Sequence, residues 1–175
     1  SDKHRWIGER VFKSLTEKVG TNGGSRRPIT FSERCEIVPA NPEDIELVIQ
    51  EFRSVGRTFL MPAEDTAISA STVIDISHES LMRVWFRLRK WVEDEAQSAK
   101  IYRRLAETTQ LFLQGKAGLY RNPDLEIAIA WKKESQPSKV WAERYFPGFQ
   151  DAMDFLQQSH AKDQAEKQAK EKAQQ

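Results

Sequence analysis

Two apolar patterns meet in the stretch Thr72-Val-Ile-Asp-Ile-Ser-His-Glu-Ser-Leu-Met-Arg-Val-Trp-Phe-Arg-Leu-Arg-Lys-Trp-Val-Glu-Asp-Glu95. Its first part is a β-branched run, which predicts a short strand at residues 73–77. Its second part repeats apolar residues at helical spacing, which predicts a helix with this buried stripe: Leu81, Trp85, Leu88 and Val92. The stretch therefore predicts a strand that leads directly into a long helix.

The change of pattern falls at Ser77-His78-Glu79, which makes these residues the first candidates for function. Ser77 fits an N-cap, and Glu79 would lie in the first helical turn, where negative charge is favoured. His78 would then stand beside a helix N-terminus, where free backbone N–H groups suit a phosphate. A structural interpretation stays open, in which His78 caps the long helix or packs against the strands.

Composition limits the class of protein. With 175 residues, the chain is long enough for one or two small domains, and a formal net charge of +1 gives no bias toward nucleic acid or an anionic membrane. Cys35 is the only cysteine, which excludes a disulfide framework and predicts a reducing, cytoplasmic location. No segment has the apolar length of a membrane span, and the charged N-terminus has no signal-peptide core. We expect the chain to be a piece of a longer protein.

The residues before this stretch predict a small domain of helices and strands. Apolar spacing, caps and breakers place the elements in this order: helix 4–19, loop 20–25, extended segment 28–31, helix 33–38, helix 42–53, strand 58–61, loop 63–71 and strand 73–77. Ser32 is the predicted N-cap of helix 33–38, and Asn41 is that of helix 42–53. Three helices followed by a hairpin with a wing-like loop are typical of a winged helix. We therefore predict a winged-helix domain over residues 4–80.

The residues after the hairpin predict helices alone. The long helix extends over 79–114, or divides into two in tandem. A capped helix is predicted to start at Asn122-Pro-Asp-Leu125, a short helix to follow its cap Ser138, and a last helix to follow Pro147. Residues 81–158 are thus predicted to form a helical relay domain. Residues 159–175 are polar and favour helix but have no apolar stripe, so they predict a polar helical linker. The fold class is mostly α: a winged-helix domain with a short β-hairpin, followed by an α-helical region.

The sequence predicts no catalytic residue and no metal site. The Gly-x-x-x-x-Gly-Lys-Ser/Thr phosphate loop does not occur, and the glycines at 20–24 are interpreted as a turn. Histidine and cysteine are too few and too scattered for a metal cluster. Adjacent residues such as Ser77, His78 and Glu79 cannot adopt the geometry of a catalytic triad.

DNA binding is weighed because winged helices often use the helix before the hairpin in the major groove. Here that helix, residues 42–53, has four acidic residues against Arg53 alone, which opposes contact with phosphates. Basic residues instead fall on the long helix. We therefore take Arg83, Arg87 and Trp85 as a candidate interface with another domain.

The run from Val73 to Trp91, followed by Ile101-Tyr-Arg-Arg-Leu-Ala106, resembles bacterial STAND-type signalling ATPases, which are related to apoptotic and plant-immunity ATPases. Three flanking segments are similar to that family as well: Arg57-Thr-Phe-Leu-Met-Pro62, Asn122-Pro-Asp-Leu125 and Trp141-Ala-Glu-Arg-Tyr145. The similarity extends over most of residues 4–159. It is most specific in the central run.

The resemblance implies a regulatory role without catalysis. In such proteins a nucleotide-binding core precedes a winged helix that usually does not bind DNA, and a repeat array follows the helical region. A His-Asp pair at the hairpin end contacts the β-phosphate of ADP. His78 and Glu79 match that pair, with Glu in place of Asp, and Ser77 adjoins them.

The expected cofactors are accordingly ADP or ATP with Mg²⁺ in the complete protein and none in this chain. The expected partners are the upstream core and the downstream repeat domain of the same protein. Membrane association is not expected. The alternative function is a winged-helix and helical adaptor that binds protein or DNA.

Overall fold

The computed structural model describes residues 2–18, 24–54, 59–78 and 86–174. It divides the chain into two compact units, Ser1–Gln97 and Ser98–Gln175. The predicted fold class is confirmed at the level of its elements, because the described residues are mostly helical with short antiparallel β-structure. None of the helices among the described residues is long and apolar enough to cross a membrane.

Unit 1 contains both sheets. Its elements in chain order are α1 Asp2–Ser14, β1 Thr16–Lys18, β2 Gly24–Arg26, β3 Ile29–Thr30, α2 Phe31–Ile37, α3 Pro42–Arg53, β4 Leu60–Met61 and β5 Val73–Ile76. The boundary between the units falls within α4, Phe86–Leu113. Unit 2 continues with α5 Asp124–Ser135, α6 Lys139–Glu143 and α7 Phe149–Ala173.

The predicted hairpin of β4 and β5 is part of a three-stranded antiparallel sheet with strand order β3-β5-β4. Ile29 pairs with Ile74 on one side of β5, and Leu60 pairs with Ile76 on the other. Alternation along β5 follows the period of a strand, since Ile74 and Ile76 are fully buried while Val73 is exposed. The β-branched run therefore forms the central strand of this sheet.

The first helix is shorter than predicted. It ends at Ser14 rather than at residue 19, because side chains bind its last carbonyls. The Ser14 hydroxyl donates to the Val11 carbonyl at 2.6 Å, and the Thr16 hydroxyl donates to the Lys13 carbonyl at 3.1 Å. Such local bonds compete with the continuation of a helix. The chain then enters β1, which pairs antiparallel with β2, so part of the predicted loop 20–25 is a strand.

Local caps account for the starts of α2 and α3. The predicted cap of α3 is confirmed: Asn41 Oδ1 accepts from the Glu43 N–H at 3.1 Å. The predicted cap of α2 at Ser32 is wrong, because Thr30 caps this helix by accepting from the Glu33 N–H. Ser32 lies inside the first turn, where its own N–H donates to the Ala70 carbonyl at 2.9 Å.

The core of unit 1 is built from aliphatic side chains of α1, the residue that follows it, α3 and the three-stranded sheet. The fully buried members include Ile7, Val11, Leu15, Ile45, Ile49, Ile74 and Ile76. Two helices approach closely at Gly8, where a Cβ atom would lie 3.3 Å from the Phe52 ring. Phe12 meets Phe52 edge to face, with ring centroids 4.9 Å apart. Glycine at position 8 thus allows α1 to pack directly on α3.

The core of unit 2 is aromatic and centres on Tyr102, which is fully buried. Its ring lies 6.0 Å from that of Trp131 and 5.8 Å from that of Trp141. The polar groups of two of these rings are hydrogen-bonded. The Tyr102 hydroxyl donates to the Phe146 carbonyl at 2.9 Å, and the Trp131 indole N–H donates to the Ser98 hydroxyl at 2.7 Å. Trp131 and Trp141 are therefore core residues of unit 2.

The last helix, α7, begins after Gly148 and continues to Ala173. Its buried residues end at Ser159, whose hydroxyl donates to the Phe155 carbonyl and accepts from the Tyr120 N–H. Beyond that point nearly all of its described residues are exposed. The segment predicted as a linker, 159–175, is helical to residue 173, and its role as a linker stays a prediction.

Candidate functional site

The candidate residues at the end of the hairpin divide between described and undescribed parts of the chain. Ser77 and His78 directly follow β5, as the sequence predicts. Glu79, Arg83 and Trp85 lie outside the described residues, and so does the predicted start of the long helix. Arg87 belongs to α4, but its side chain also lies outside the described part. The geometry of the site is therefore that of the hairpin end.

Backbone pairing fixes the position of Ser77. Its N–H donates to the Phe59 carbonyl at 3.0 Å, which extends the pairing of β4 and β5 by one step. Ser77 is half-buried, whereas His78 is exposed. This backbone N–H is thus occupied within the hairpin, and the next residue, His78, lies at the protein surface.

A clamp formed by Arg26 holds the end of β5. Its Nη1 donates both to Asp75 Oδ2 and to the Ile76 carbonyl, each at 3.2 Å. Asp75 Oδ1 in turn accepts from the Ile76 N–H at 2.7 Å. The clamp joins β2 to the chain two residues before His78. Sequence reasoning missed it, although strand alternation places Asp75 on the face opposite Ile74, where a polar partner is expected.

A second arginine holds the loop between β4 and β5. Arg53 is 1% exposed, and its Nε donates to the Pro62 carbonyl at 2.7 Å. Its Nη2 donates to the carbonyls of Ala63 and Thr66. Because a guanidinium carries five N–H donors in a fixed fork, one side chain can bind several loop carbonyls at once. Sequence reasoning treated Arg53 only as a charge on α3.

With Arg53 buried, the exposed charge of α3 is acidic. Glu43, Glu46 and Glu51 are exposed, and Asp44 forms an ion pair with Lys3 at 2.7 Å. An apolar side chain, Leu47, stands among them with 59% exposure. This surface would repel the phosphates of a nucleic acid, and its apolar centre is more typical of a protein contact.

A pocket of about 540 Å³ opens beside the hairpin. Among the described residues, its lining consists of Arg53, Leu60, Met61, Ala63, Glu64, Asp65 and Ser77. Of the described candidate residues, Ser77 is thus the one that lines this pocket.

Two other kinds of site, a metal site and a reactive cysteine, were considered among the described residues. These residues contain no group of three or more His, Cys, Asp or Glu placed to hold a metal ion. Burial raises the pKa of the Cys35 thiol, and the nearby Glu36 and Glu46 act in the same direction while Arg34 opposes them. A raised thiol pKa reduces the nucleophilic thiolate. Cys35 therefore has the properties of a structural cysteine.

A comparison with known protein families identifies the family of this chain. The family model nSTAND1, described as Novel STAND NTPase 1, matches residues 1–118. The chain belongs to this STAND NTPase family. The resemblance found in the central run is thereby confirmed. Searches of curated proteins and of solved structures give no match.

The region matched to Novel STAND NTPase 1 includes the whole of unit 1 and α4. Both arginine-held features and the Ser77-His78 junction therefore lie within it. The segments near residues 122 and 141, which also resemble STAND proteins, lie beyond the match. The family name refers to NTPases, whereas these 175 residues contain no phosphate-loop motif.

Proposed function

We propose that this chain is a non-catalytic regulatory module of a cytoplasmic, bacterial STAND-type signalling ATPase. In this proposal His78 senses ADP, and unit 2 relays opening or closure to a downstream repeat domain. The observation that supports it best is the exposed His78 at a hairpin end of fixed geometry, in a chain of the STAND family. ATP hydrolysis would belong to an upstream core, which would also hold the Mg²⁺.

Unit 1 is proposed to be a winged helix. Without the β1–β2 hairpin, its elements follow the order helix, strand, helix, helix, strand, strand. The first of these strands, β3, pairs beside β5 rather than beside β4, which gives the sheet order β3-β5-β4. Both features are typical of winged helices and support this assignment. The helix that contacts DNA in many such domains corresponds to α3.

The proposed sensing step is a contact between the His78 ring and a phosphate. A neutral imidazole can donate one ring N–H to a phosphate oxygen, and a protonated ring adds a positive charge. The Ser77 N–H is bound to the Phe59 carbonyl, so Ser77 would contribute only its hydroxyl. The contact exists only when the core and unit 1 are closed together. It therefore stabilises the closed state alone.

The free energy expected from this contact is large enough to shift the equilibrium between the closed and open states. One charge-assisted hydrogen bond contributes about 1–3 kcal/mol, which corresponds to a change of about 5- to 150-fold in a coupled equilibrium. We expect the complete protein with His78→Ala to release ADP faster by a factor in this range. The stability of the 175-residue chain should hardly change, since His78 is exposed.

The measurement is the amount of nucleotide that remains bound after purification of the complete protein, together with the rate of ADP release. His160→Ala is the matched control, because His160 is an exposed histidine on α7. Equal ADP retention in His78→Ala and wild type would refute the sensing role. So would a large loss of thermal stability in the isolated His78→Ala chain, which would make this histidine structural.

The alternative is an adaptor that binds protein or DNA. The acidic exposed face of α3 disfavours DNA, and the exposed Leu47 within it favours a protein partner. Tight and salt-sensitive binding of duplex DNA by the chain would support the DNA form of this alternative. Arg83, Arg87 and Trp85 remain proposed contacts to another domain.

A further inference from the structure

The outer part of α7 continues well past the core of unit 2. The last buried residue of this helix is Ser159, and the helix itself ends at Ala173. Of residues 160–173, which we call the arm, Asp163 is half-buried and all the others are exposed. At the usual rise of an α-helix, the arm is about 21 Å long. Its function therefore has to be compatible with solvent on nearly every side.

The composition of the arm explains how a helix without a buried face persists. The arm consists of Ala, Lys, Glu and Gln, which have high helix propensity, with one Asp and one His, and it contains no Gly, Pro or β-branched residue. Short isolated helices are unstable in water mainly because their first turn is costly to form. The arm avoids this cost, since it continues from the packed part of α7, residues 149–159. Each further residue only extends an existing helix.

Side-chain pairs along the arm reinforce the helix. Lys167 forms an ion pair with Asp163, one turn earlier, at 2.8 Å, and Gln164 Nε2 lies 3.2 Å from His160 Nε2. The bond to Asp163 raises the pKa of Lys167. Opposite charges four residues apart also occur at positions 162 and 166, 166 and 170, and 167 and 171. Pairs with this spacing stabilise an exposed helix, and the arm has them in nearly every turn.

The base of the arm is fixed to the rest of unit 2. The Ser159 hydroxyl accepts from the Tyr120 N–H at 3.0 Å and donates to the Phe155 carbonyl at 2.8 Å. Just beyond, the arm and the segment 119–121 enclose a cavity of about 20 Å³, which is room for about one water molecule. The arm lines this cavity with Lys162, Asp163 and Glu166. The arm therefore leaves unit 2 in a set direction rather than from a free hinge.

The arm lacks the apolar face that a docking helix needs. A helix that binds in a groove or on a membrane surface has a stripe of large apolar residues along one side. The apolar residues of the arm are four alanines: Ala161, Ala165, Ala169 and Ala173. Their methyl groups would bury little area in any complex. A helix that is polar all round is instead typical of a solvent-exposed connection between domains.

We propose that the arm is a rigid spacer, which fixes the distance and the direction at which the chain leaves unit 2. The proposal rests on the proposed function in one respect, namely that a downstream domain follows the arm. A rotation of unit 2 by about 15° would then displace the end of the arm by about 5 Å, because the arm acts as a lever. A flexible linker of the same length would absorb such a rotation. The arm thus gives the relay a means of moving the downstream domain.

The test uses the 175-residue chain with Cys35→Ser and spin labels on two introduced cysteines, between which double electron–electron resonance measures the distribution of distances. Lys133→Cys with Gln168→Cys reports on the arm, and Lys133→Cys with Gln157→Cys is the reference pair within the packed part of unit 2. The width decides, because residues 157–168 span about 17 Å as a helix and a similar distance, about 17–20 Å, as a flexible chain. We expect equally narrow distributions for the two pairs.

Two double variants separate helix propensity from packing. Ala161→Gly with Ala165→Gly weakens the helix, whereas Ala161→Gln with Ala165→Gln retains high helix propensity. The distribution for the arm pair should broaden at least about twofold in the glycine variant and stay narrow in the glutamine variant. A wild-type distribution as broad as that of the glycine variant would overturn the proposal. Equal broadening in the glutamine variant would also overturn it, because alanine contacts and not the helix itself would then hold the arm.

A second measurement needs no substitution. Nuclear magnetic relaxation of the backbone amides in wild type should give order parameters of about 0.85 at residues 162–170, equal to those at residues 150–158. Values below about 0.6 in the arm would show motion on the nanosecond timescale and would overturn the proposal.

Trypsin provides the matching test in the complete protein, because the arm contains Lys162, Lys167, Lys170 and Lys172. Cleavage within the arm should be at least about tenfold slower in wild type than in the glycine variant, since a stable helix resists the protease. Equal rates in the two proteins would overturn the proposal. Neither the distances nor the cleavage involve ADP, so a failure of the arm and a failure of the His78 sensor are distinguished.

Discussion

The two units of this chain achieve order by different means. Unit 1 has an aliphatic core, but its loop and strand ends are held by directional bonds from Arg53 and Arg26. Unit 2 instead packs the rings of Trp131, Trp141 and Phe149 around Tyr102. Directional bonds place individual residues, as at the hairpin end before His78, whereas ring packing mainly supplies stability. The proposed sensor, His78, belongs to the unit held by directional bonds.

The largest expected effect is the loss of the ring at the centre of unit 2. Tyr102→Ala should lower the free energy of unfolding by about 3–5 kcal/mol, because it opens a cavity among aromatic side chains. Tyr102→Phe keeps the ring and loses only the bond to the Phe146 carbonyl, so it should cost about 1 kcal/mol. Denaturant unfolding measures both. Similar costs for the two variants would show that the hydroxyl, not the ring, carries the stability of unit 2.

A smaller but more local effect is expected in unit 1. Arg53→Met keeps the apolar length of the side chain and removes its donors, which should cost about 2–3 kcal/mol. Hydrogen exchange should accelerate at residues 59–66, while the helices of unit 2 keep their protection. Arg53→Lys serves as the control for charge, because it retains the cation but cannot form the fork. Unchanged exchange in the loop of Arg53→Met would show that the carbonyl bonds do not hold it.

The clamp at the end of β5 is partly exposed, so its energetic contribution is smaller still. Asp75→Asn removes the charge opposite Arg26 and should cost about 0.5–1 kcal/mol in the 175-residue chain. In the complete protein it should also speed ADP release, provided that the clamp positions His78. Asp154→Asn is the control, since Asp154 is an exposed carboxylate in unit 2. A loss of stability with unchanged ADP release would limit the clamp to a structural role.

The last prediction concerns stability at alkaline pH, and no effect is expected at neutral pH. Burial, with a contribution from Glu143, raises the pKa of Tyr102 from 10.0 to about 12. The folded state therefore holds this proton more tightly than the unfolded state does. Its contribution to stability is complete below pH 10 and is lost as the pH rises toward 12. The melting temperature of wild type should fall more steeply over this range than that of Tyr102→Phe, and parallel curves would contradict the shift.

Local signals made the central part of the fold predictable. Asn41 and Pro42 mark the start of α3, and the β-branched residues after Thr72 mark β5. The position of His78 at a strand end follows from the same pattern. The β1–β2 pairing was missed because both strands are three residues long and polar, so they show no apolar alternation, and because apolar spacing continued past the true end of α1 at Ser14.

The hydrogen bonds of Arg53 and Arg26 could not be predicted from sequence patterns, because their partners lie far along the chain or are main-chain carbonyls. Arg53 binds main-chain carbonyls 9 to 13 residues away, and every residue type has such a carbonyl. Arg26 finds Asp75 49 residues further along the chain. Neither pairing leaves a local signature. The charge of α3 could be counted from the sequence, but only the fold shows that Arg53 is withdrawn from its surface.

The way in which Arg53 holds its loop has a consequence for the substitutions that the loop tolerates. The guanidinium recognises carbonyl oxygens of Pro62, Ala63 and Thr66 and no side chain of these residues. Side chains in the loop can therefore change while the backbone keeps its course. Substitutions at positions 63–65 should therefore leave the course of the loop unchanged as long as Arg53 is retained.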